Sequence, residues 1–390
     1  MSEYQYYEFV ALDRPLTGEQ MSELRALTTR ATITPTRLQN VYHWGSFRGD
    51  PSTLMEKYFD AFLYVANWGV RRFMLRLPRR LLGPEVTSHY CACEGADVEY
   101  RGDFAILEFC SRSEGAEGFE EGEGWLSSLV PLRADLAAGD HRALYLGWLL
   151  CAQEGHLDDD SVEPPVPAGL GSLSAPLEAF AEFLRIDRDL TAVAAERSAP
   201  VVGTGPDDPE VERWIHGLPE VEKDRLLLRL VREGDPHLRA ELLQGFQRSK
   251  TPPEGTAHAG WQGGRTVGEL LAAAEVLAEA RCREEERRRA EEQARLARER
   301  AAARARHLDG LAGREEELWL RAEGLIAMKR PREYDQAVEL LKDLRDLADR
   351  SGASEEFDRR LGQLRERHAG KPSFMERLAR AKLSVGGQVR

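Results

Sequence analysis

The sequence predicts an α+β N-terminal domain, a mixed sheet with helices, followed by all-α modules and a long charged helix. Residues 1–157 contain two kinds of stretch in succession. In one kind apolar and polar residues alternate, as in a strand, and in the other the apolar residues recur every three or four positions, as in a helix. Beyond them, Pro- and Gly-rich breaks separate segments of purely helical periodicity. The run from Thr266 to Asp309, rich in Glu, Arg and Ala, is too polar to be a core helix.

The chain of 390 residues is too long for one ordinary core, and its 31% of charged residues indicates extensive solvated helices. Changes in composition divide it into six predicted segments. These are an α+β domain (1–157), a linker (158–176), a helical region (177–247), a second linker (248–265), the long charged helix (266–313) and a helical hairpin domain (314–390).

Composition also limits the cellular compartment and the classes of binding partner that the sequence allows. No run approaches the roughly 18 apolar residues of a membrane span, and the N-terminus lacks the basic start and apolar stretch of a signal peptide. Together with an odd number of cysteines, five, these features favour a cytoplasmic protein with no membrane partner. A net charge of −13 argues against direct nucleic-acid binding, which needs a positive surface.

Periodicity places both strands and helices in the α+β domain. Strands are expected over residues 4–12, 36–43, 70–77, 97–100 and 104–110, with Arg101-Gly102-Asp103 as a hairpin turn between the last two. Helices are expected over residues 17–30, 52–67, 125–138 and 141–154.

The loop that precedes the second of these helices carries the residues of greatest functional interest. Asp50 directly precedes Pro51, so its carboxylate is a natural N-cap. A glycine-containing loop before a helix can also hold phosphate, but the capping carboxylate would occupy the anion's position and no Walker sequence is present. We therefore interpret the loop as a structural turn, and the alternative is that His43, Trp44 and Arg48 form an exposed recognition patch on it.

The most basic stretch, residues 71–80, extends this candidate patch. On a strand, alternate apolar side chains would face the core while Arg72 and Arg76 face solvent, where they could meet an anionic partner. The alternative is a solvated sheet face, or ion pairs with the acidic loop over residues 114–123.

The residues do not predict a metal, a cofactor or a catalytic site. His89, Cys91 and Cys93 would point to one face of a strand, and Cys110 could join them. A zinc site usually needs a second pair of ligands, which does not follow, so we expect buried cysteines and no bound metal. Nucleophile-elbow, zinc-protease and dinucleotide sequence motifs are also missing from the chain.

In the long charged helix several glutamates precede an arginine by four positions. This order of acidic and basic residues gives ion pairs that stabilise a helix. The pairs are Glu284–Arg288, Glu285–Arg289 and Glu291–Arg295. Because only the first two heptads have an apolar coiled-coil seam, the pattern favours a solvated spacer that Gly310 and Gly313 end. Beyond it, Trp319 and Tyr334 belong to the facing apolar stripes of a tetratricopeptide-like hairpin.

The C-terminal segment also resembles a known family. The stretch LWLRAEGLIAMKRPREYDQAVELLKDLRDLADRSG, from Leu318 to Gly352, and FDRRLGQLRERHAGKPSFMERLARAKL, from Phe357 to Leu383, resemble the tail of bacterial SWIM-type zinc-finger proteins. That family's zinc motif is Cys-x-Cys followed by Cys-x-His. Cys91-Ala92-Cys93 matches only its first half, and no Cys-x-His occurs, so the resemblance implies a shared interaction tail without the zinc finger.

These features favour a non-enzymatic cytoplasmic adaptor or scaffold that holds a protein partner at its C-terminal helical hairpins. One alternative is an enzyme or nucleotide-responsive domain at the N-terminus, built around His43, Arg48 and the basic strand. The resemblance of the tail implies another, an accessory subunit of a nucleic-acid-processing system. Spatial convergence distinguishes the first two, since an enzyme needs a pocket that unites His43 and Arg48 with an acidic residue.

We expect Asp50 to act as a helix cap, because its carboxylate would satisfy the unpaired amides of the first helical turn. Asp50→Ala should lower the free energy of unfolding of the N-terminal part by about 1 kcal/mol, and Asp50→Asn or Asp50→Ser by much less. Chemical denaturation of the three variants measures this order. Equal losses in all three would show that capping is not the role of Asp50.

Overall fold

The computed structural model describes residues 3–91, 93–112, 121–200, 208–250 and 264–383. It confirms an α+β N-terminal part followed by a helical part, divided into two compact units, residues 1–281 and 282–390. This division differs from the six predicted segments, and most of the second predicted linker lies outside the described residues. None of the described helices has the length and apolar character that crossing a membrane requires.

Seven strands form one sheet in the first unit, in the order β2-β3-β1-β4-β5-β7-β6. Every described pair is antiparallel, whereas a mixed sheet was predicted. Short turns join β4 to β5 and β6 to β7, and a parallel neighbour would need a crossover of a dozen or more residues. The strands are β1 (Gln5–Val10), β2 (Thr32–Ile33), β3 (Arg37–Tyr42), β4 (Ala61–Ala66), β5 (Val70–Pro78), β6 (Ala96–Arg101) and β7 (Phe104–Arg112).

Helices cover both faces of this sheet. In the first unit they are α1 (Gly18–Leu27), α2 (Pro51–Lys57), α3 (Pro84–Thr87), α4 (Trp125–Leu129), α5 (Leu132–Ala137), α6 (Arg142–Gln153), α7 (Ala175–Phe183), α8 (Arg188–Ala195), α9 (Asp208–Gly217), α10 (Glu220–Glu233), α11 (Leu238–Lys250) and the start of α12 (Val267–Asp309). Buried residues of α1 and α2 pack on one face. Those of α4 to α8 and the first turns of α12 pack on the other.

The predicted helix over residues 52–67 is wrong in its second half. Asp50 caps α2 as expected, accepting a hydrogen bond of 2.8 Å from the Thr53 amide, but the helix ends at Lys57. The following apolar run is β4, in which all six residues are buried, alternately in the cores on the two faces of the sheet. A strand buried on both faces is apolar throughout, so it lacks the alternation that indicates a strand.

Residues 158–176, predicted as a linker, pack against the core of the first unit. The carboxylate of Glu163, 1% exposed, accepts hydrogen bonds from the Tyr145 hydroxyl and, at 2.8 Å, from the Arg265 guanidinium. Val162 forms a backbone bridge with Thr266. Because a buried carboxylate needs partners, this network fastens the segment to α6 and to the start of α12.

His89, Cys91 and Cys93 do not lie on one strand, which was the condition for their side chains to point to one face. Helix α3 ends at Thr87, turns follow, and Cys93 forms only an isolated bridge before β6. The side chain of Cys93 lies against that of Cys151 in α6, a contact that the sequence did not predict. Burial raises the pKa of the Cys91 thiol to about 12, which makes it unreactive. Among the described residues no group of three or more His, Cys, Asp or Glu side chains could hold a metal ion.

The second unit contains the predicted hairpin. Its helices beyond α12 are α13 (Glu315–Ala327), α14 (Pro331–Ser351), α15 (Ser354–Arg367) and α16 (Pro372–Arg380). Trp319 and Tyr334 are both buried, with ring centroids 5.7 Å from Phe357 and 5.5 Å from Phe374 respectively. These two aromatic residues therefore pack the helices together.

The exposed middle of α12 is lined by ion pairs within the helix. Of the predicted pairs, Glu284–Arg288 is present at 3.0 Å. Arg287 also reaches Glu284 and Glu291, and Arg295 pairs with Glu292 and Glu299 instead of Glu291. Such pairs support a helix that has few buried side chains.

Replacing Trp319 by alanine should unfold the second unit, because truncating a buried aromatic side chain typically costs about 3–5 kcal/mol. The sheet of the first unit has its own core, so its melting transition should persist. Calorimetry of the full chain would resolve the two transitions. A single transition that shifts as a whole would show that the two units unfold together. Leu320→Ala, at an exposed position of the same helix, is the matched control.

Candidate functional sites

The five residues of the predicted patch do not form one surface. His43, Trp44 and Arg48 are exposed on the loop between β3 and α2. Arg72 is half-buried and pairs with Glu108 at 2.6 Å. Arg76 is only 4% exposed, so the prediction that it faces solvent is wrong. Its strand, β5, is internal to the sheet and covered on both faces, which places even its polar positions inside the protein.

Arg76 belongs instead to a buried group of charges that we call the Asp13 cluster, formed by Asp13, Asp60, Arg76, Arg133 and His237. Asp60, just before β4, is 1% exposed and accepts a 2.7 Å hydrogen bond from Arg76. Its second oxygen accepts hydrogen bonds from the backbone amides of Leu12 and Asp13. The cluster therefore joins two strands to the loop that follows β1.

Arg133 and His237 bring two helices to the same point. Arg133 of α5 donates to both oxygens of Asp13, at 2.8 and 2.7 Å, and lies 3.3 Å from Asp60. The Nε2 atom of His237, next to α11, lies 3.0 Å from the Asp13 carboxylate. Burial alone would raise the pKa of Asp13, but the hydrogen bonds from His237 and Arg133 outweigh it and hold that pKa well below its usual range.

This cluster borders a cleft of about 350 Å³, and its residue types suggest acid–base chemistry. The geometry argues otherwise. A general base works best when its pKa lies near the working pH, and a carboxylate with a strongly lowered pKa is a weak base. Both oxygens of Asp13 are also occupied by Arg133. We therefore assign the cluster to the docking of α5 and α11 on the sheet.

The loop from His43 to Gly49 is held in place from beneath. Phe47 is buried, with its ring centroid 5.4 Å from Tyr7 and 6.0 Å from Phe9. The side chain of Gln5 donates a 2.7 Å hydrogen bond to the carbonyl of Gly45, a glycine with a φ of +77°. The anchored loop holds the exposed side chains on either side of Phe47 in fixed positions.

These side chains line a groove of about 520 Å³ that we call the Trp44 groove. The guanidinium carbon of Arg30 lies 3.9 Å from the centre of the Trp44 ring. Two of the predicted patch residues, Trp44 and Arg48, line the groove, while His43 packs near Tyr4, with 6.0 Å between ring centroids. The lining consists of Ala26, Leu27, Thr28, Thr29, Arg30, Tyr42, Trp44, Gly45, Ser46 and Arg48. It includes neither a carboxylate nor a histidine, so it does not unite His43 and Arg48 with an acidic residue.

The second unit has a cleft of about 530 Å³ where the α13–α14 loop meets the α15–α16 loop. We call it the C-terminal cleft, and its basic lining residues are Lys329, Arg367, His368 and Lys371. The ammonium group of Lys371 donates a 2.8 Å hydrogen bond to the carbonyl of Ile326 and thereby joins the two loops. The buried ring of Tyr334 also lines the cleft.

Positive charge exceeds negative charge in this cleft. Arg367 pairs with Glu323 at 2.7 Å, but Lys329 is exposed and has no ion-pair partner in the described part of the chain. Burial lowers the pKa of His368, and the neighbouring Lys371 and Arg367 charges lower it further. A proton on His368 would therefore be stabilised by an anion that enters the cleft.

Lys329 also has an uncommon backbone conformation. Its φ is +54°, at a helix end where glycine is usually found, and Arg185 and Lys382 share this conformation. Lysine is also scarce, since only 7 of the 54 basic residues are lysines, and two of these line the cleft.

Arg30, the Asp13 cluster and the C-terminal cleft were not predicted from the sequence. The scarcity of lysine, together with Lys329 two residues before α14 and Lys371 directly before α16, was a usable signal for the cleft. Residues of the Asp13 cluster lie up to 224 positions apart, and no local pattern marks them.

No family model, curated protein or solved structure matches the chain. The resemblance of the C-terminal segment to SWIM-type tails therefore stays a prediction, and function has to be inferred from the geometry of the sites.

We expect Asp13→Asn to destabilise the first unit by about 2–3 kcal/mol at neutral pH, since it removes charge-assisted hydrogen bonds. The pKa of Asp13 is lower in the folded protein than in the unfolded chain. As the pH falls, the carboxylate of Asp13 is therefore protonated in the unfolded chain before it is protonated in the folded protein. The contribution of Asp13 is therefore complete above the ordinary aspartate pKa of about 4 and is lost in more acidic solution.

Melting temperatures measured from pH 7 down to pH 3 test this linkage. The variant should show a shallower acid-induced decrease than the unmodified protein, and Asp160→Asn, at an exposed position, should show the same decrease as the unmodified protein. Parallel curves for the protein and its Asp13→Asn variant would rule out the linkage.

Proposed function

We propose that this protein is a non-enzymatic adaptor whose second unit binds an acidic segment of a protein partner in the C-terminal cleft. The observation that carries the proposal is the convergence of Lys329, Arg367, His368 and Lys371 around one cleft. Of these, Lys329 has no carboxylate partner in the part of the chain that the structure describes. Charge complementarity then selects a negatively charged occupant.

A peptide fits this cleft better than a polynucleotide does. Met328, next to Lys329, is 59% exposed and offers an apolar contact beside the basic groups. A segment that mixes acidic and apolar residues would use both features. A polynucleotide needs an extended positive surface, and the chain as a whole carries a net charge of −13.

A binding role also agrees with the chemistry of the first unit. The Trp44 groove has neither a carboxylate nor a histidine in its lining, and the carboxylates of the Asp13 cluster are held in ion pairs. These arrangements support recognition over catalysis.

Lys329→Gly should weaken binding of an acidic peptide by about tenfold, because one charge-assisted contact is lost. It should not destabilise the protein, since glycine adopts a φ of +54° without strain. Fluorescence anisotropy of a labelled glutamate- and leucine-rich peptide with the full chain measures the affinity. Binding should also strengthen as the pH falls below the ordinary histidine value of about 6.5, because a bound anion favours protonated His368.

Lys382→Gly is the matched control, since Lys382 has the same φ of +54° in the same unit but does not line the cleft. It should leave the affinity unchanged. Equal losses in both variants would indicate a general charge effect and contradict the proposal. A single-stranded oligonucleotide that binds more tightly than the peptide would favour an accessory role in nucleic-acid processing instead.

A further inference from the structure

The adaptor function does not use the Trp44 groove, yet the groove has the features of a binding site. Trp44 is 67% exposed, an unusual position for so large an aromatic side chain. Arg30 covers part of its ring at 3.9 Å, and the rest of the indole remains open to solvent. Flat ligands stack on surfaces of this kind.

The two arginines of the groove are available to a ligand. Arg30 and Arg48 are exposed, and neither has a carboxylate partner among the described residues. Many other arginines, including the nearby Arg37 and Arg72, are paired with glutamates. In a protein of net charge −13, two uncompensated guanidinium groups in one groove form a local site for an anion.

The inner wall supplies neutral hydrogen-bonding groups. The side-chain amide of Asn40, 2% exposed, donates 2.9 Å and 2.8 Å hydrogen bonds to the hydroxyls of Thr28 and Tyr42. Both hydroxyls accept these bonds, so each still has its own proton to donate, and both residues line the groove, where they are 5% and 8% exposed. The buried Oδ1 atom of Asn40 has no partner in the structure.

We propose that the Trp44 groove binds a small molecule that combines a flat aromatic ring with an anionic group. This chemistry is shared by nucleoside monophosphates and aromatic carboxylates. The ring stacks on the open part of Trp44, and the anion accepts hydrogen bonds from the guanidinium groups of Arg30 and Arg48. The hydroxyls of Thr28 and Tyr42 contact polar edges of the ring. The volume of about 520 Å³ lies within the range of small-molecule sites.

The anchored loop explains how the site exists before the ligand arrives. Phe47 is buried between Trp44 and Arg48 in sequence, and Gln5 fixes the carbonyl of Gly45. Because these contacts already hold the loop, little ordering is needed on binding. The inference is independent of the proposed adaptor function, since every residue of the groove belongs to the first unit.

Titration calorimetry of the full chain with four probes tests the proposal. The probes are adenosine monophosphate, adenosine, inorganic phosphate and 2-naphthoate. At least one of the two ring anions should bind at least tenfold more tightly than adenosine and phosphate, since both the ring and the charge contribute. Tighter binding of the monophosphate identifies a phosphate ligand, and tighter binding of naphthoate identifies a carboxylate.

Variants then locate the site. Arg48→Gln and Trp44→Leu should each weaken binding of the preferred probe by about tenfold, because the first removes a guanidinium contact and the second the stacking surface. Arg112→Gln, at an exposed position outside the groove, should have no effect. Both groove side chains are exposed, so unchanged melting temperatures would confirm that folding is intact.

Three results would overturn the proposal. The first is that neither ring anion binds. The second is that adenosine or phosphate alone binds as tightly as the ring anions. The third is that affinity is unaffected in both groove variants.

Discussion

The buried carboxylate of Asp60 is the constraint on which the first unit depends. An ionised group with 1% exposure would cost several kcal/mol if it were left without partners. Its partners come from separate parts of the chain, namely Arg76 on β5, Arg133 on α5 and the backbone after β1. His237 extends the same network to α11 through Asp13. The sheet and the helices beside it are therefore held in one arrangement by a charge that must be neutralised.

This constraint also decides where function can lie. The Asp13 cluster contains the residue types of an acid–base site, but each charge is paired within the protein. Among the described residues, Arg30 and Arg48 in the Trp44 groove and Lys329 in the C-terminal cleft have no carboxylate partner. Basic groups that line a groove without such a partner are suited to an external anion.

The two candidate sites belong to different units and differ in character. The Trp44 groove combines stacking surface, guanidinium groups and hydroxyls, which suits a small flat anion. The C-terminal cleft combines ammonium groups, an imidazole and exposed Met328, which suits an acidic peptide. Each site lies where loops meet above a packed core. The core of each unit fixes the position of its site, because Phe47 and Tyr334 are buried in it.

The sequence by itself determined the features that depend on neighbours along the chain. The cap at Asp50, the hairpin turn at Gly102, the ends of α12 and the stripes of Trp319 and Tyr334 follow from local conformational preference and periodicity. It also placed Trp44 and Arg48 on an exposed loop, because a polar, glycine-containing turn is seldom buried.

Only the tertiary structure decided the remaining features. The run Ala61–Ala66 is a strand because β1 and β5 flank it, and helices bury both of its faces. Arg76 is buried because it forms an ion pair with the buried carboxylate of Asp60. Arg30 contacts the ring of Trp44 although the two residues belong to different segments of the chain. The periodicity of a sequence indicates which side chains share one face of a single helix or strand. The burial of a face and the contacts between distant residues depend on which other elements pack against it.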